Sequence, residues 1–291
     1  QITVEVHIPP KMTEDPGTVE GTEKHEVSFG CKASGKPAPK WEFFKDGSRQ
    51  PLSSTETRIV DGDAGTIHFR PIHRDDDGEY RCVALNDVGT DEAVGTLDVI
   101  VPPFILEYRD VDGEENKGAT ISCVTEGDPP PQMVFRKVGS GQDYQLGENE
   151  NGRVVVEQVD SRRATLTIDP LTPSDTANYT CSCSNQGGKH ALNGTITVNY
   201  RPRFDEDHVK EVYSWAGKTR NMTCKSIAEP APSFRWLQYN EILPNNETFK
   251  IYTWDGSKDS ALQVTVQDHD QNWIFSTYTC EATNNYGTGR R

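Results

Sequence analysis

The sequence predicts an all-β chain of three tandem β-sandwich domains, and three observations carry that expectation. The cysteines fall into widely spaced couples. A segment of the form Tyr-x-Cys-x-small-x-Asn-x-x-Gly occurs three times. The apolar residues between these landmarks alternate with polar ones. With 291 residues the chain is too long for one ordinary core and suits two or three domains.

The cysteines stand at 31, 82, 123, 181, 183, 224 and 280. Setting aside one of the 181/183 pair, they form three couples about 51 to 58 residues apart, too distant for zinc-ribbon ligands. One disulfide per domain is expected, formed in an oxidising compartment: Cys31 with Cys82, Cys123 with Cys181, Cys224 with Cys280. Closing loops of that size stabilises a domain by about 4 kcal/mol in the chain-entropy account. With the second cysteines in register the segments read GEYRCVALNDVG (78–89), ANYTCSCSNQGG (177–188) and STYTCEATNNYG (276–287). The repeat is roughly 95 to 100 residues long.

Ile67 and Phe69, Leu166 and Ile168, and Leu262 and Val264 each alternate with polar neighbours, the period of half-buried antiparallel strands. Lys-Asp-Gly and Asn-x-x-Gly mark turns, and no long amphipathic helix interrupts them. Short strands, frequent turns and a long-range cysteine pair around an aromatic residue describe an immunoglobulin-like sandwich. Tyr80, Tyr179 and Tyr278 occupy the tyrosine-corner place two residues before the second cysteine, and Asp76 and Asp175 stand six before it. The core tryptophan is expected twelve residues after the first cysteine. It occurs only as Trp236; Phe43 and Phe135 take its place in the other repeats, with Trp41 two residues earlier on the same strand face.

The boundaries expected from this register are 1–8 as the end strand of a preceding domain or a linker, then domains 9–101, 102–200 and 201–291. The last reads as truncated before its final strand. Cys183 aligns with Ala84 and Ala282 and faces inward. It reads as a buried free thiol, with an intermolecular or alternative disulfide as the other possibility. The third repeat departs from the pattern: Ile274 replaces the aspartate, and extra residues around DHDQNWIF (268–275) bring Trp273. Trp273 either packs under a remodelled corner or is an exposed aromatic anchor. Phe44, which points away from Phe43 on its strand, is the second candidate contact.

The formal net charge is −15, which argues against nucleic acid or a sulfated polyanion as main partner. No run of 18 apolar residues spans a bilayer, so membrane attachment is expected only through segments outside this sequence. The seven histidines are scattered, and no phosphate loop follows a strand, so no enzyme is expected and no cofactor. RDVDGEEN (109–116) and FDEDH (204–208) are acidic clusters without EF-hand spacing, and they read as hydrated surface rather than metal sites. Sequons at Asn178, Asn193, Asn221 and Asn246 are candidate N-glycosylation sites. The linkers VPPF and YRPRF are short and proline-stiffened, which predicts a semi-rigid rod.

KPAPKWEFFKDG together with DDDGEYRCVALNDVG resembles an I-set immunoglobulin domain. MVFRKVGSGQDY, VYSWAGKTRNMTC and NEILPNNETFKIY extend the resemblance to the neural cell adhesion molecule and fasciclin II family, over its third to fifth immunoglobulin domains. The resemblance implies a neuronal cell-surface protein whose ectodomain mediates calcium-independent homophilic adhesion in axon growth, fasciculation and synapse formation. Its partner would be the same protein on an apposed cell, and other cell-surface receptors are admitted as well. The alternative is a heterophilic receptor ectodomain for a growth factor or guidance cue. A third class, an intracellular filament protein, would keep its cysteines reduced and its sequons unused.

Overall fold

A computed structural model describes residues 4–141, 143–204, 211–267 and 274–291. The first sandwich is built from β1 (Ile8–Glu14), β2 (Thr18–Thr22), β3 (Val27–Gly30), β4 (Lys32–Lys36), β5 (Lys40–Lys45), β6 (Arg58–Asp61), β7 (Thr66–Phe69), β8 (Gly78–Asn86) and the first part of β9 (Gly89–Tyr108). The second uses the rest of β9 with β10 (Val111–Glu114), β11 (Ala119–Asp128), β12 (Gln132–Lys137), β13 (Asp143–Tyr144), β14 (Gly147–Asn149), β15 (Val154–Asp160), β16 (Arg163–Ile168), β17 (Ala177–Asn185) and the start of β18 (Gly188–Phe204). The third continues from β18 through β19 (Thr219–Glu229), β20 (Ser233–Gln238), β21 (Glu241–Ile242), β22 (Phe249–Thr253), β23 (Asp259–Thr265), β24 (Tyr278–Asn284) and β25 (Gly287–Arg290). The fold is the expected all-β row of three immunoglobulin sandwiches.

In each domain one antiparallel sheet begins at the strand that holds the first cysteine or, in the first domain, at the strand that ends just before it: β3–β7–β6, β11–β16–β15 and β19–β23–β22. The facing sheet centres on the strand with the second cysteine: β5–β8–β9, β12–β17–β18 and β20–β24–β25. β9 and β18 each serve two domains. β9 pairs with β8 in the first and with β11 in the second; β18 pairs with β17 and then with β19. These strands run unbroken through both junctions, with Pro102, Pro103 and Pro202 inside them. Proline cannot donate to a ladder, so its place in a strand is where the sheet partner changes.

The inward rows form three cores. The first holds Phe29, Trp41, Phe43, Ile67, Phe69, Tyr80 and Leu97 around Cys31 and Cys82. Phe43 fills the tryptophan place completely buried, and Trp41 packs beside it. Gly65 makes room for that indole: its φ is +70°, and a Cβ there would stand 2.7 Å from the Trp41 ring. Phe135 fills the same place in the second core, and Trp236 in the third, where the indole Nε1 donates to Ser260 Oγ at 2.9 Å. Ile274 is buried in the third core where the other domains carry aspartate, so an apolar side chain takes over the corner. The tyrosine corner survives in all three. The hydroxyls of Tyr80, Tyr179 and Tyr278 donate to the carbonyls of Asp76, Asp175 and Ile274 at 2.7, 3.0 and 2.6 Å.

Candidate binding surfaces and junctions

The structure holds the disulfides Cys31–Cys82, Cys123–Cys181 and Cys224–Cys280, with Cα separations of 6.5, 6.5 and 6.3 Å. Cys183 is free. It lies opposite Met133 on β12 and His190 on β18, 1% exposed, and burial pushes its thiol pKa up, away from the reactive thiolate.

Phe44 requires a correction. It points outward on β5 as expected, yet it is only 9% exposed. Arg81, its ladder partner on β8, lays its guanidinium 4.5 Å above the ring centroid and is itself anchored by Glu92 at 2.7 Å. A cation–π stack held by a second ion pair covers the face that a partner would need, so Phe44 is no exposed anchor. Trp273 lies outside the described residues. Exposed aromatics that the strand pattern did not single out are Phe104 on β9, stacked on His190, and Tyr213, Trp215, Tyr239, Trp254 and Phe275 in the third domain, each more than half exposed. Lys218 and Arg220 flank the Trp215 ring at 5.9 and 5.2 Å. Those of the third domain sit in turns and irregular segments, where period-two reasoning has nothing to say.

The four sequon asparagines are exposed. Asn178 and Asn193 stand on the outward faces of β17 and β18. Asn221 stands on β19, and Asn246 precedes β22. Of the acidic stretch 109–116, Asp110 accepts from Thr195 N at 2.7 Å, Glu114 from Lys117 Nζ at 2.6 Å, and Glu115 pairs with Arg203. Those carboxylates already have protein partners. In the second acidic stretch, residues 205–208 lie outside the described residues. Among the described residues no three metal-ligating side chains gather. The grooves are open ones, of about 310 Å³ beside Glu115 and Arg203 and about 510 Å³ along β12 and β17.

The junctions are built by residues whose role the sequence did not disclose. The asparagine of each repeated motif is a clamp. Asn86 Nδ2 donates to Ile8 O and Pro37 O at 2.8 and 3.1 Å, Asn185 to Val101 O and Pro129 O at 2.8 and 2.9 Å, and Asn284 to Tyr200 O and Pro230 O at 2.9 and 3.0 Å. Each clamp ties the strand entering its domain to the loop after the first-cysteine strand. Two of those carbonyls, Val101 and Tyr200, lie in the shared strands. Its recurrence at one register position was the available signal. Between the first two domains Arg74 joins Glu23, at 2.9 Å, to Glu126 of β11. The Arg74 hydrogen bond outweighs burial and holds the Glu23 carboxyl below its ordinary range.

Family profiles cover all three of these domains. The Immunoglobulin domain profile matches residues 9–86 and 102–185, and the Immunoglobulin I-set domain profile matches 202–290. The chain belongs to the immunoglobulin family. It is 30% identical over 304 residues to Fasciclin-2 of Schistocerca americana, covering 99% of this chain and 33% of that protein. It is 26% identical over 298 residues to Neural cell adhesion molecule 1 of Bos taurus, covering 98% of this chain and 34% of that one. The resemblance read from the sequence stands on these two. The chain spans about a third of the length of the curated relatives it matches. Among solved structures, a three-domain I-band fragment of titin superposes with a TM-score of 0.64 at 20% identity, covering 97% of this chain and 96% of that one. The complex of Dpr2 Ig1-Ig2 with DIP-Theta Ig1-Ig3 gives 0.66 at 22% identity, with 97% of each chain covered. At those identities the likeness concerns the fold. No helix among the described residues is long and apolar enough to cross a membrane.

Proposed function

We propose that this chain is part of the extracellular portion of a cell-surface adhesion molecule, and that it supports calcium-independent homophilic adhesion between cells of the nervous system. One observation carries the reading: immunoglobulin domains similar to neural cell adhesion molecule 1 and Fasciclin-2 are joined here by shared strands rather than loose linkers. We take 9–101, 102–200 and 201–291 as the units of that rod. A rod of this kind presents sheet faces and loops at a fixed spacing, which suits repeated weak contacts summed across two apposed membranes. Three disulfides fit an oxidising, extracellular setting. Carboxylates at the 109–116 junction that are engaged by Lys117, Arg203 and a backbone amide fit adhesion without calcium. The role is binding, with no catalytic step assigned. Axon growth, fasciculation and synapse formation are the settings in which such contacts would act.

The test is aggregation of beads coated with this chain, in calcium and again in chelator. Clustering in both is the expected result. Clustering lost in chelator would overturn calcium independence. No clustering in either would overturn homophilic contact by these three domains and favour a different cell-surface partner.

A further inference from the structure

The two sequons of the second domain are interlocked. Asn178 lies directly opposite Thr195 in the antiparallel ladder of β17 and β18, and Thr180 lies opposite Asn193. Thr195 is the hydroxyl residue of the Asn193 sequon, and Thr180 that of the Asn178 sequon. Thr195 Oγ1 donates to Asn178 Oδ1 at 2.9 Å, and Thr180 Oγ1 donates to Asn193 Oδ1 at 2.6 Å. Each threonine therefore belongs to one sequon and orients the asparagine of the other.

The asparagines are diagonal neighbours on one sheet face, a relation that separates residues by roughly 7–8 Å. Two sugar chains leaving side by side at that spacing would crowd. The reciprocal bonds determine their directions. An N-linked glycan is attached at Nδ2, and an amide whose oxygen is turned to one side carries its nitrogen on the other. The oxygen of Asn178 is turned to β18, so its Nδ2 is on the side of β12, whose next residue, Val138, donates its N–H to the backbone carbonyl of Asn178 at 2.8 Å. The oxygen of Asn193 is turned to β17, so its Nδ2 faces the edge of the sheet; β10 joins β18 only from Ile196 onward, and Asp110 reaches that edge at Thr195 N, two residues past Asn193. The bonds to Oδ1 are compatible with glycosylation, because they do not use the nitrogen.

We propose that Asn178 and Asn193 form one paired glycosylation site, occupied together, whose two chains leave in opposite directions and cover the β12–β17–β18 face of the second domain. This rests on the extracellular reading above and narrows it. The covered face includes the small, exposed side chains Ser182 and Ala191, which stand opposite each other in the ladder. Protein contacts of the second domain then fall on its other face or its ends. Transfer of the glycan precedes folding, so the geometry acts on which glycoforms fold and leave the cell.

The experiment uses the whole chain secreted from animal cells. After reduction, cleavage before aspartate releases Asp175–Phe204 with both sequons on one peptide. Enzymatic deglycosylation in heavy-oxygen water marks each formerly glycosylated asparagine. The expected result is that doubly marked peptide predominates. In Asn178→Gln or Asn193→Gln, the remaining site is expected to keep the glycan processing it has in the parent. Peptides marked once at most, with Asn221 or Asn246 marked, would overturn the pair and leave the extracellular reading intact. Doubly marked peptide whose remaining glycan is processed further in the single variants would overturn the diverging geometry. Absence of glycan at all four sequons would bring down both readings.

Discussion

Arg153→Met is the sharpest probe of how the second domain differs from its neighbours. Asp175 is 2% exposed, and Arg153 donates to both of its oxygens, at 2.8 and 3.1 Å. Thr172 adds its N–H at 2.7 Å and its hydroxyl at 2.8 Å. Burial disfavours the charged carboxylate, but these donors outweigh it and hold the Asp175 pKa below its ordinary value. The neighbouring domains lack the pair: Asp76 accepts from His73 N, and Ile274 is apolar. Removing one partner of a buried ion pair costs about 3–5 kcal/mol, since the other is left charged and unpaired. The two Thr172 bonds survive, and Arg153 is itself partly exposed, so the low end, about 3 kcal/mol, is expected. That corresponds to about a hundredfold in the opening equilibrium. Because the folded pKa is depressed, the stabilisation is complete above about pH 4 and is lost as pH falls through the folded value. In the variant Asp175 protonates more readily, so the penalty shrinks toward acid. Native-state hydrogen exchange on the intact chain reads each domain separately. Amides of β16 and β17 should lose about a hundredfold in protection at pH 7, and less at pH 4, while β8 and β24 stay unchanged. An equal loss at both pH values, or an equal loss in all three domains, would refute the argument.

Two further outcomes follow from the same geometry. Cys183 should resist alkylation in the native protein and take up one adduct per chain after denaturation; Cys183→Ser, which buries an unpaired hydroxyl, should cost about 1–3 kcal/mol in the second domain. Phe44→Ala should lower the stability of the first domain, by less than the about 3–5 kcal/mol of a fully enclosed phenylalanine. It should leave bead clustering intact, because the ring faces Arg81 and not a partner; a loss of clustering without a loss of stability would restore Phe44 as a contact.

What the sequence determined by itself was the repeat and everything tied to its register. Period-two alternation decides which residues of a strand face inward, so the cysteine partners, the tyrosine corner and Phe135 in the tryptophan place were legible without coordinates. The same alternation put Asn178 and Asn221, each three residues before a core cysteine, on the outward face. It could not say what lies beside an outward residue, because that depends on which residue of another strand stands opposite. Phe44 shows the difference: its direction was readable, but its cover comes from Arg81 and Glu92, placed there by the β5–β8–β9 ladder. Arg74 meets Glu126, Arg153 meets Asp175, and Thr195 meets Asn178 across separations of 52, 22 and 17 residues. Cross-strand pairing and domain junctions create such meetings, and only the tertiary structure decides them.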